Sequence, residues 1–254
     1  MTLELKGKVV VVTGGTRGIG KQIAMDFLSQ GANVVMAARE HPKDDSFNKL
    51  LLEHTGSLQL ILCDVTNAES VHDCFTRALA KWNRIDIVVA NVGNGASTQQ
   101  PVSDLAQWNK IWDINFTSAV NTAREFSEEL TRNNGSLVFI SSIAGIEFIG
   151  APTDYSTAKN ALIAFAKSLS HRLAPNVRVN VVAPGNIWTD EGTWKNKMDK
   201  DPAGVTNMLN TKVPMKRFGT TEEVSNAVLF LSSFKASFIS GACLVVDGGQ
   251  TVSF

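Results

Sequence analysis

Short apolar runs alternate along the chain with longer segments in which apolar residues recur at helical spacing. Several of the short runs are continuous and rich in β-branched residues, as is typical of parallel strands covered on both faces. The predicted strands are Val9–Thr13, Asn33–Ala38, Leu58–Cys63, Ile85–Ala90, Leu137–Ser141, Val177–Val182 and Leu244–Val246. The predicted helices are Ile19–Gln30 (closed by Gly31 as C-cap), Lys43–His54, Ala68–Trp82, Asp104–Arg132, Tyr155–Leu173 and Glu222–Leu231.

This alternation predicts an α/β fold, a doubly wound parallel sheet with helices on both faces. The 254 residues, 44% of them hydrophobic, suit a single domain over 1–254. The polar stretch 185–217 interrupts the rhythm and carries Trp188, Trp194 and Met208. It follows a strand, where ligands bind in open α/β sheets. We predict a substrate lid there, the alternative being a surface insertion without a role.

Charge and cysteine content narrow the classes of partner. Lys and Arg together number 24, as do Asp and Glu, so the formal net charge is zero. Such a balance does not favour nucleic acid or an anionic membrane. Cys63, Cys74 and Cys243 lack metal-ligand spacing and a disulfide pattern, which predicts free core thiols and no metal site. No secretory pattern precedes Val9 and no apolar run spans a bilayer, so we expect a cytoplasmic protein.

The first strand runs into a glycine-rich turn. Gly14 and Gly18 lie between Val9–Thr13 and the first predicted helix, and Gly20 lies in the first turn of that helix. Glycine lets the backbone turn sharply and approach a pyrophosphate. The following helix offers free N–H groups and a positive dipole end to the same anion. The turn therefore predicts a dinucleotide site, although its spacing differs from the usual G-x-G-x-x-G.

The pattern T-G-x-x-x-G-x-G resembles the opening motif of the short-chain dehydrogenase/reductase family. The resemblance continues in family order through Asp64-Val65, Asn91-Val92-Gly93, Asn115, Ser142, Tyr155 to Lys159, Pro184-Gly185 and Asp247-Gly248-Gly249. It implies seven strands in the order 3-2-1-4-5-6-7. It also implies a homotetramer or homodimer, assembled through the helices after the fourth and fifth strands and the C-terminal strand region. The apolar tail Thr251–Phe254 suits burial at such an interface.

The end of the second strand bears on the choice of nicotinamide cofactor. A carboxylate there accepts from the ribose of NAD, whereas this chain has Ala38 followed by Arg39. Arg39, with Arg17 from the other side, suits the 2′-phosphate of NADP(H). Glu40 lies one position beyond the residue that decides between the two cofactors, and we expect its side chain to point away from the cofactor. The alternative is two solvated surface arginines.

The resemblance also implies which positions contact the cofactor. Asp64 resembles the family's acceptor for the adenine amino group, its alternative being a helix N-cap near Asn67. The implied contacts are Gly14, Thr16, Arg17, Gly18, Ile19, Gly20, Ala38, Arg39, Asp64, Val65, Asn91, Val92, Gly93, Tyr155, Lys159, Pro184, Gly185, Ile187 and Thr189.

Tyr155 is the single tyrosine and lies four residues before Lys159, so both side chains emerge on one helix face. A nearby ammonium favours the phenolate and brings the pKa of Tyr155 down towards the working pH. Ser142 can hold the substrate oxygen; Ser141 is the alternative, and family spacing selects Ser142. The resemblance implies that Asn115 anchors a water on a proton path to Lys159, the alternative being a polar residue that kinks the helix.

Together these residues predict an NADP(H)-dependent oxidoreductase that moves a hydride between the nicotinamide and a carbonyl or secondary alcohol. Tyr155 would give or take the proton while Ser142 stabilises the oxygen. The substrate stays open between 3-oxoacyl thioesters, keto-sugars and other small carbonyl compounds. Phe148 and Ile149 join the lid residues as candidates for an apolar wall. The alternative function is a non-catalytic NADP-binding regulatory module.

Overall fold

Seven parallel strands form one sheet in the order β3-β2-β1-β4-β5-β6-β7. The computed structural model describes residues 3–43, 45–98 and 100–253. The strands are β1 Val9–Thr13, β2 Asn33–Ala38, β3 Leu58–Leu62, β4 Ile87–Ala90, β5 Ser136–Ile140, β6 Arg178–Pro184 and β7 Cys243–Val246. The predicted fold class and strand order are thereby confirmed, with strand ends that differ from the predicted ones by at most two residues.

The sheet is covered on both faces, and its central strands are buried at every position and largely apolar. All residues of β1, β4 and β5 are buried. Successive side chains of a strand point to opposite faces. Val9 and Val11 accordingly belong to one hydrophobic cluster, and Val10 and Val12 to the other. A continuous run of valines thus supplies two cores at once.

The helices pack on these two faces. They are α1 Gly18–Ser29, α2 Asp45–Glu53, α3 Ala68–Trp82, α4 Leu105–Trp112, α5 Ser118–Arg132, α6 Thr153–Leu173, α7 Thr193–Lys200, α8 Pro202–Lys212 and α9 Thr221–Ser232. The C-cap of α1 is Gln30, one residue before the predicted Gly31. Gly31 follows it with φ of +79°. Among the described residues, no helix combines the length and apolar character needed to cross a bilayer.

The predicted helix over Asp104–Arg132 is helical without a gap from Leu105 to Arg132, but it is not a regular α-helix throughout. Asp104 is the N-cap of α4, and a π-helical turn, Asp113–Thr117, separates α4 from α5. The physical reason lies at Asn115, whose side-chain amide donates to the backbone oxygen of Ile111 at 2.9 Å. Such a competing bond loosens the regular i to i−4 ladder.

The stretch 185–217 contains two helices that the hydrophobic pattern did not predict. In α7 and α8 polar residues interrupt the apolar spacing, but Pro202 at the first position and Asp201 as N-cap explain where α8 begins. The segment has a small hydrophobic cluster of its own. Its buried members are Val205, Leu209 and Val213, with Trp194, Met198, Met208 and Phe218 packed against them.

Candidate active site

The strand order reverses between β1 and β4, so the loops after β1, β4, β5 and β6 meet at the carboxyl edge of the sheet. Ligands of open α/β sheets bind at such a switch point. The loop after β1 holds the glycine turn, and the loop after β5 leads to the start of α6. Within the described part of the chain, no cluster of three His, Cys, Asp or Glu side chains is arranged to hold a metal ion.

The glycine turn fits a dinucleotide pyrophosphate. Gly18 has φ of +51°, and a methyl group at Gly20 would stand 2.2 Å from the carbonyl oxygen of Gly14. Glycine is therefore required where α1 approaches the turn. The N-cap residue Arg17 makes no side-chain capping bond to the described residues, and the first turn of α1 contains no acidic residue. Its N–H groups and positive dipole end are available to an anion.

Asn91 braces this turn from the loop after β4. Its side-chain amide donates to the backbone oxygen of Thr13 at 2.9 Å and to that of Gly14 at 3.4 Å. Its backbone N–H donates to the Thr13 hydroxyl at 3.0 Å. Val92 packs close to Gly14, since a methyl group there would stand 3.2 Å from Val92 Cγ2. The amide of Asn91 thus supports the shape of the turn.

The edge beside β2 carries exposed cations. Ala38 ends the strand, and Arg39, Arg17 and Glu40 are all exposed. Thr16 and Ile19 are half-buried, and Ile19 packs on the hydrophobic cluster beneath α1. Among the described residues, the guanidinium groups of Arg17 and Arg39 have no ion-pair partner within 4.0 Å and are free to meet a ligand.

Asp64 lies in the loop after β3. One of its carboxylate oxygens accepts from the backbone N–H of Thr66 at 3.0 Å and from its hydroxyl at 2.8 Å. The N-cap of α3 is Asn67, whose side chain accepts from the backbone N–H groups of Glu69 and Ser70. Capping is therefore done by Asn67 rather than Asp64. Val65 is buried beside this loop.

The catalytic candidates converge at the start of α6. Lys159 is 2% exposed, and its ammonium donates to the backbone oxygen of Ile140 at 3.0 Å. Its Nζ lies 6.0 Å from the ring centre of Tyr155, one helical turn earlier. Burial lowers the pKa of Lys159 to about 8. The amine is consequently poised to change charge close to physiological pH.

The pKa of Tyr155 shifts opposite to the predicted direction. Burial raises the pKa of the phenol, and the hydrogen bond with the Ser142 hydroxyl opposes that rise. The ammonium of Lys159 donates to the backbone oxygen of Ile140 and lies 6.0 Å from the centre of the tyrosine ring. Tyr155 therefore keeps its proton at neutral pH in the protein without ligand.

The two serines at the end of β5 are distinguished by their partners. Ser141 is buried, and its hydroxyl donates to the backbone oxygen of Lys159 at 2.9 Å. Ser142 is only half-buried; its hydroxyl accepts from the N–H of Ala144 at 3.2 Å and interacts with the phenol of Tyr155. The geometry thus brings Ser142, rather than Ser141, to the tyrosine.

Asn115 joins the π-helical turn to the loop after β4. It is fully buried; its amide donates to the backbone oxygen of Asn94 at 2.9 Å, and its own oxygen accepts from Asn94 N–H at 3.0 Å. A methyl group at Gly93 would stand 2.8 Å from Lys159 Nζ and 3.0 Å from Asn115 Oδ1. Asn115 and Lys159 therefore border the same backbone. Asn115 thus lies in the π-helical turn and beside Lys159.

The segment after β6 crosses towards the glycine turn. Pro184 ends β6 and pairs with Val246, while Gly185 lies tightly against Asp247. Ile187 is buried and forms a bridge with Gly219. A methyl group at Gly18 would stand 3.6 Å from Thr189 Cγ2, so Thr189 lies above the turn. Of the predicted positions on this segment, Thr189 is therefore the one that the structure brings to the turn.

Asp154 was not among the predicted site residues. It is 2% exposed and bonds to the N–H of Tyr155 and to the hydroxyls of Ser97 and Ser103. In the sequence, the one feature that could have pointed to Asp154 is its position directly before the single tyrosine. Its partners in the loop after β4 lie more than fifty positions away along the chain.

Comparison with known proteins agrees with this geometry. A family model described as enoyl-(acyl carrier protein) reductase matches residues 14–251. The short-chain dehydrogenase/reductase SDRA of Arabidopsis thaliana is 34% identical over 248 residues, covering 97% of this chain and 96% of its own. The 3-oxoacyl-[acyl-carrier-protein] reductase FabG of Chlamydia muridarum is 35% identical over 257 residues, covering 98% and 100%.

A solved structure is also similar over nearly the whole chain. It is a 7α-hydroxysteroid dehydrogenase complexed with NADH and 7-oxo glycochenodeoxycholic acid, with a TM-score of 0.86 and 28% identity over 99% of this chain and 98% of its own. The family match, these relatives and the seven-stranded sheet agree with one another. The chain belongs to the short-chain dehydrogenase/reductase family and is an oxidoreductase that acts on CH–OH and carbonyl groups.

Proposed function

We propose that this protein is an NADP(H)-dependent oxidoreductase that transfers a hydride between the nicotinamide and a carbonyl or secondary alcohol. The observation that carries the proposal is the meeting of Tyr155, Ser142 and Lys159 beside a turn that suits a pyrophosphate. A regulatory module that only binds the cofactor has no need for a half-buried tyrosine beside a serine and a buried lysine.

The nicotinamide, when bound, supplies or accepts the hydride. Ser142 donates its hydroxyl to the substrate oxygen and stabilises the charge that develops there. Tyr155 donates its proton to the same oxygen during reduction, and its raised pKa keeps that proton in place at neutral pH. Lys159 and Asn115, which border Gly93 together, hold the inner end of the proton path.

The preference for NADP(H) rests on the two exposed arginines beside β2. Both side chains are exposed and could form charge-assisted bonds to a 2′-phosphate, and Ala38 supplies no carboxylate to repel it. Membership of the family does not decide the cofactor, because the solved hydroxysteroid dehydrogenase holds NADH.

Side-by-side fluorescence titration with NADPH and NADH tests the cofactor. We expect tighter binding of NADPH, a loss of about 10- to 100-fold in Arg39→Ala and a larger loss in Arg39→Asp, because each charge-assisted contact contributes roughly 1.5–3 kcal/mol. NADH binding should change little in Arg39→Ala. Equal binding of both cofactors by the unmodified protein would contradict the proposal.

Cofactor turnover with a panel of ketones, acyl thioesters and keto-sugars tests the catalytic residues. Tyr155→Phe should lower kcat by about 10²–10⁴-fold, the usual contribution of a general acid, while NADPH binding is retained. Ser142→Ala should lower kcat strongly, whereas Ser141→Ala, the matched control, should keep most of it. Turnover that survives Tyr155→Phe would refute the assignment.

The loop after β4 and the predicted lid offer candidate walls for a substrate site. A cavity of about 520 Å³ on this loop is lined by Ala96, Ser97, Thr98, Gln100, Ser103, Asp104 and Gln107. Trp188 and Trp194 both pack on Phe218 and so belong to the cluster of the lid. This lining includes none of Tyr155, Ser142 and Lys159, so the substrate class stays open between 3-oxoacyl thioesters, keto-sugars and other small carbonyl compounds. The relative turnover of these classes in the same panel decides between them.

The remaining parts of the proposal concern the assembly and the environment. We expect a homotetramer or homodimer, with residues 185–217 acting as the substrate lid of a single domain. The three cysteines are free thiols, two of them buried, which suits a reducing cytoplasm. Phe254, the end of the predicted interface tail, lies outside the described residues.

A further inference from the structure

One buried carboxylate holds the loop after β4 against the start of α6. Asp154 Oδ1 accepts from the N–H of Tyr155 at 2.8 Å. Its Oδ2 accepts from the hydroxyls of Ser97 at 2.5 Å and Ser103 at 2.9 Å. Gln107, in α4, donates to the Ser97 hydroxyl at 3.2 Å. The loop, the start of α4 and α6 therefore meet at a single side chain.

Asp154 is buried without a cation. Among the described residues no Lys, Arg or His lies within ion-pair distance of it, and it is 2% exposed. A buried carboxylate is costly unless several donors compensate it. Its donors come from different segments, and its place in the first turn of α6 adds the helix dipole. The carboxylate is thus stabilised only while the loop stays closed on α6.

This loop lies directly on the catalytic ring. A methyl group at Gly95 would stand 3.5 Å from Cζ of Tyr155 and 3.6 and 3.7 Å from its two Cε atoms. The neighbouring Asn94 is tied through its backbone to Asn115. Asn115 and Asp154 therefore fix the loop on either side of Gly95, and Gly95 covers the ring.

We propose that Asp154 is a positioning residue: by fixing segment 94–98 over the ring of Tyr155, it sets the orientation of the phenol towards Ser142 and the substrate. This inference rests on the proposed role of Tyr155. The competing explanation is that Asp154 only stabilises the start of α6. Removing the carboxylate would then lower stability and leave the ring unmoved.

The single tyrosine gives a direct readout of the ring. Tyrosine labelled with ¹³C at Cζ yields one resonance in the full-length protein, and its pH titration reports Tyr155 alone. We expect Asp154→Asn to shift this resonance and to lower the titration midpoint. The loosened loop admits water to the phenol, and a nearby negative charge is lost. We also expect kcat to fall by about tenfold or more with NADPH affinity unchanged.

Asp86→Asn is the matched control. Asp86 is also 2% exposed, but it lies before β4 at the opposite edge of the sheet, bonded to Arg84, Lys8 and the N–H of Val9. It should lower stability and leave the tyrosine resonance and kcat unchanged. Ser103→Ala, which removes one donor, should reproduce the effects of Asp154→Asn more weakly and serves if that variant does not fold.

An unchanged tyrosine resonance and kcat in folded Asp154→Asn or Ser103→Ala would overturn the inference. The resonance is measured without cofactor or substrate, so it tests the contact between loop and ring independently of turnover. Activity surviving in Tyr155→Phe would instead overturn the proposed function. The two failures are therefore distinguishable.

Discussion

At the scale of single residues, burial moves the pKa values of the two central groups apart. It lowers the pKa of Lys159 to about 8 and raises that of Tyr155. In both cases the low-polarity surroundings disfavour the charged form. The lysine is therefore costly to keep protonated, and the tyrosine is costly to ionise. A cofactor that adds hydrogen-bond partners for Lys159 would change this balance.

The buried lysine predicts a pH dependence of stability. Its pKa is about 8 in the folded protein. In the unfolded chain it is about 10.4, so between these values the unfolded chain binds more protons and stability rises with pH. Relative to Lys159→Met, the free energy of unfolding of the unmodified protein should rise by about 2 kcal/mol between about pH 7 and 10. The raised pKa of Tyr155 changes the free energy of unfolding only at pH values above the ordinary tyrosine pKa of about 10.

Urea denaturation of the cofactor-free protein at several pH values measures this difference. Lys49→Met is the control, because its side chain is 77% exposed. Relative to that variant, the stability of the unmodified protein should stay nearly constant with pH. A flat difference between the unmodified protein and Lys159→Met would show that the lysine titrates normally.

At the scale of elements, two helix features shape the site. The π-helical turn at Asp113–Thr117 directs Asn115 towards the loop after β4, where a regular helix would continue past it. Helix α1 begins at Gly18 immediately after the turn and packs on α9, which brings its N-terminus to the sheet edge. Both features depend on close backbone approach. They are therefore sensitive to the addition of one methyl group.

Gly20→Ala tests the close approach of α1. The added methyl group would stand 2.2 Å from Gly14 O and 2.5 Å from Asn91 Nδ2, so the helix must move. We expect a loss of about 1–3 kcal/mol in stability, the usual cost of overpacking, and weaker NADPH binding. Thermal unfolding and fluorescence titration measure these effects. Gly56→Ala, where nothing lies within 4 Å, should be close to neutral in both.

At the scale of the whole molecule, apolar side chains are left exposed on the side of β7. Phe238 is 104% exposed, Phe234 67% and Val252 84%. On another face, Trp108 stacks on Trp112 beside a cavity of about 440 Å³. Exposed aromatic groups of this size are typical of interaction surfaces. We predict that these groups lie at the interfaces of the proposed assembly, through the C-terminal strand region and the helix after β4.

Combined Phe234→Ser and Phe238→Ser changes test the assembly. Both side chains are exposed in the monomer, so the fold should tolerate the changes while an interface loses apolar area. Light scattering after size exclusion should give a tetramer or dimer for the unmodified protein and a smaller species for the variant. Leu52→Ser, at a 74% exposed position in α2, should keep the original size. A monomeric unmodified protein would refute the predicted assembly.

The sequence by itself determined the layered sheet and the types of residue at the site. The bounds of β1, β2 and α3 follow from local patterns, because a covered strand is apolar throughout and a surface helix repeats its apolar face. The glycine turn, the tyrosine and the lysine were visible through their spacing.

Only the tertiary structure decided how these groups act. It placed a π-helical turn at Asn115, reversed the expected pKa shift of Tyr155 and revealed Asp154. The partners of Asp154 lie 57 and 51 positions away along the chain. Local periodicity contains no information on such pairs, because burial and long-range hydrogen bonding arise only when separate segments pack together.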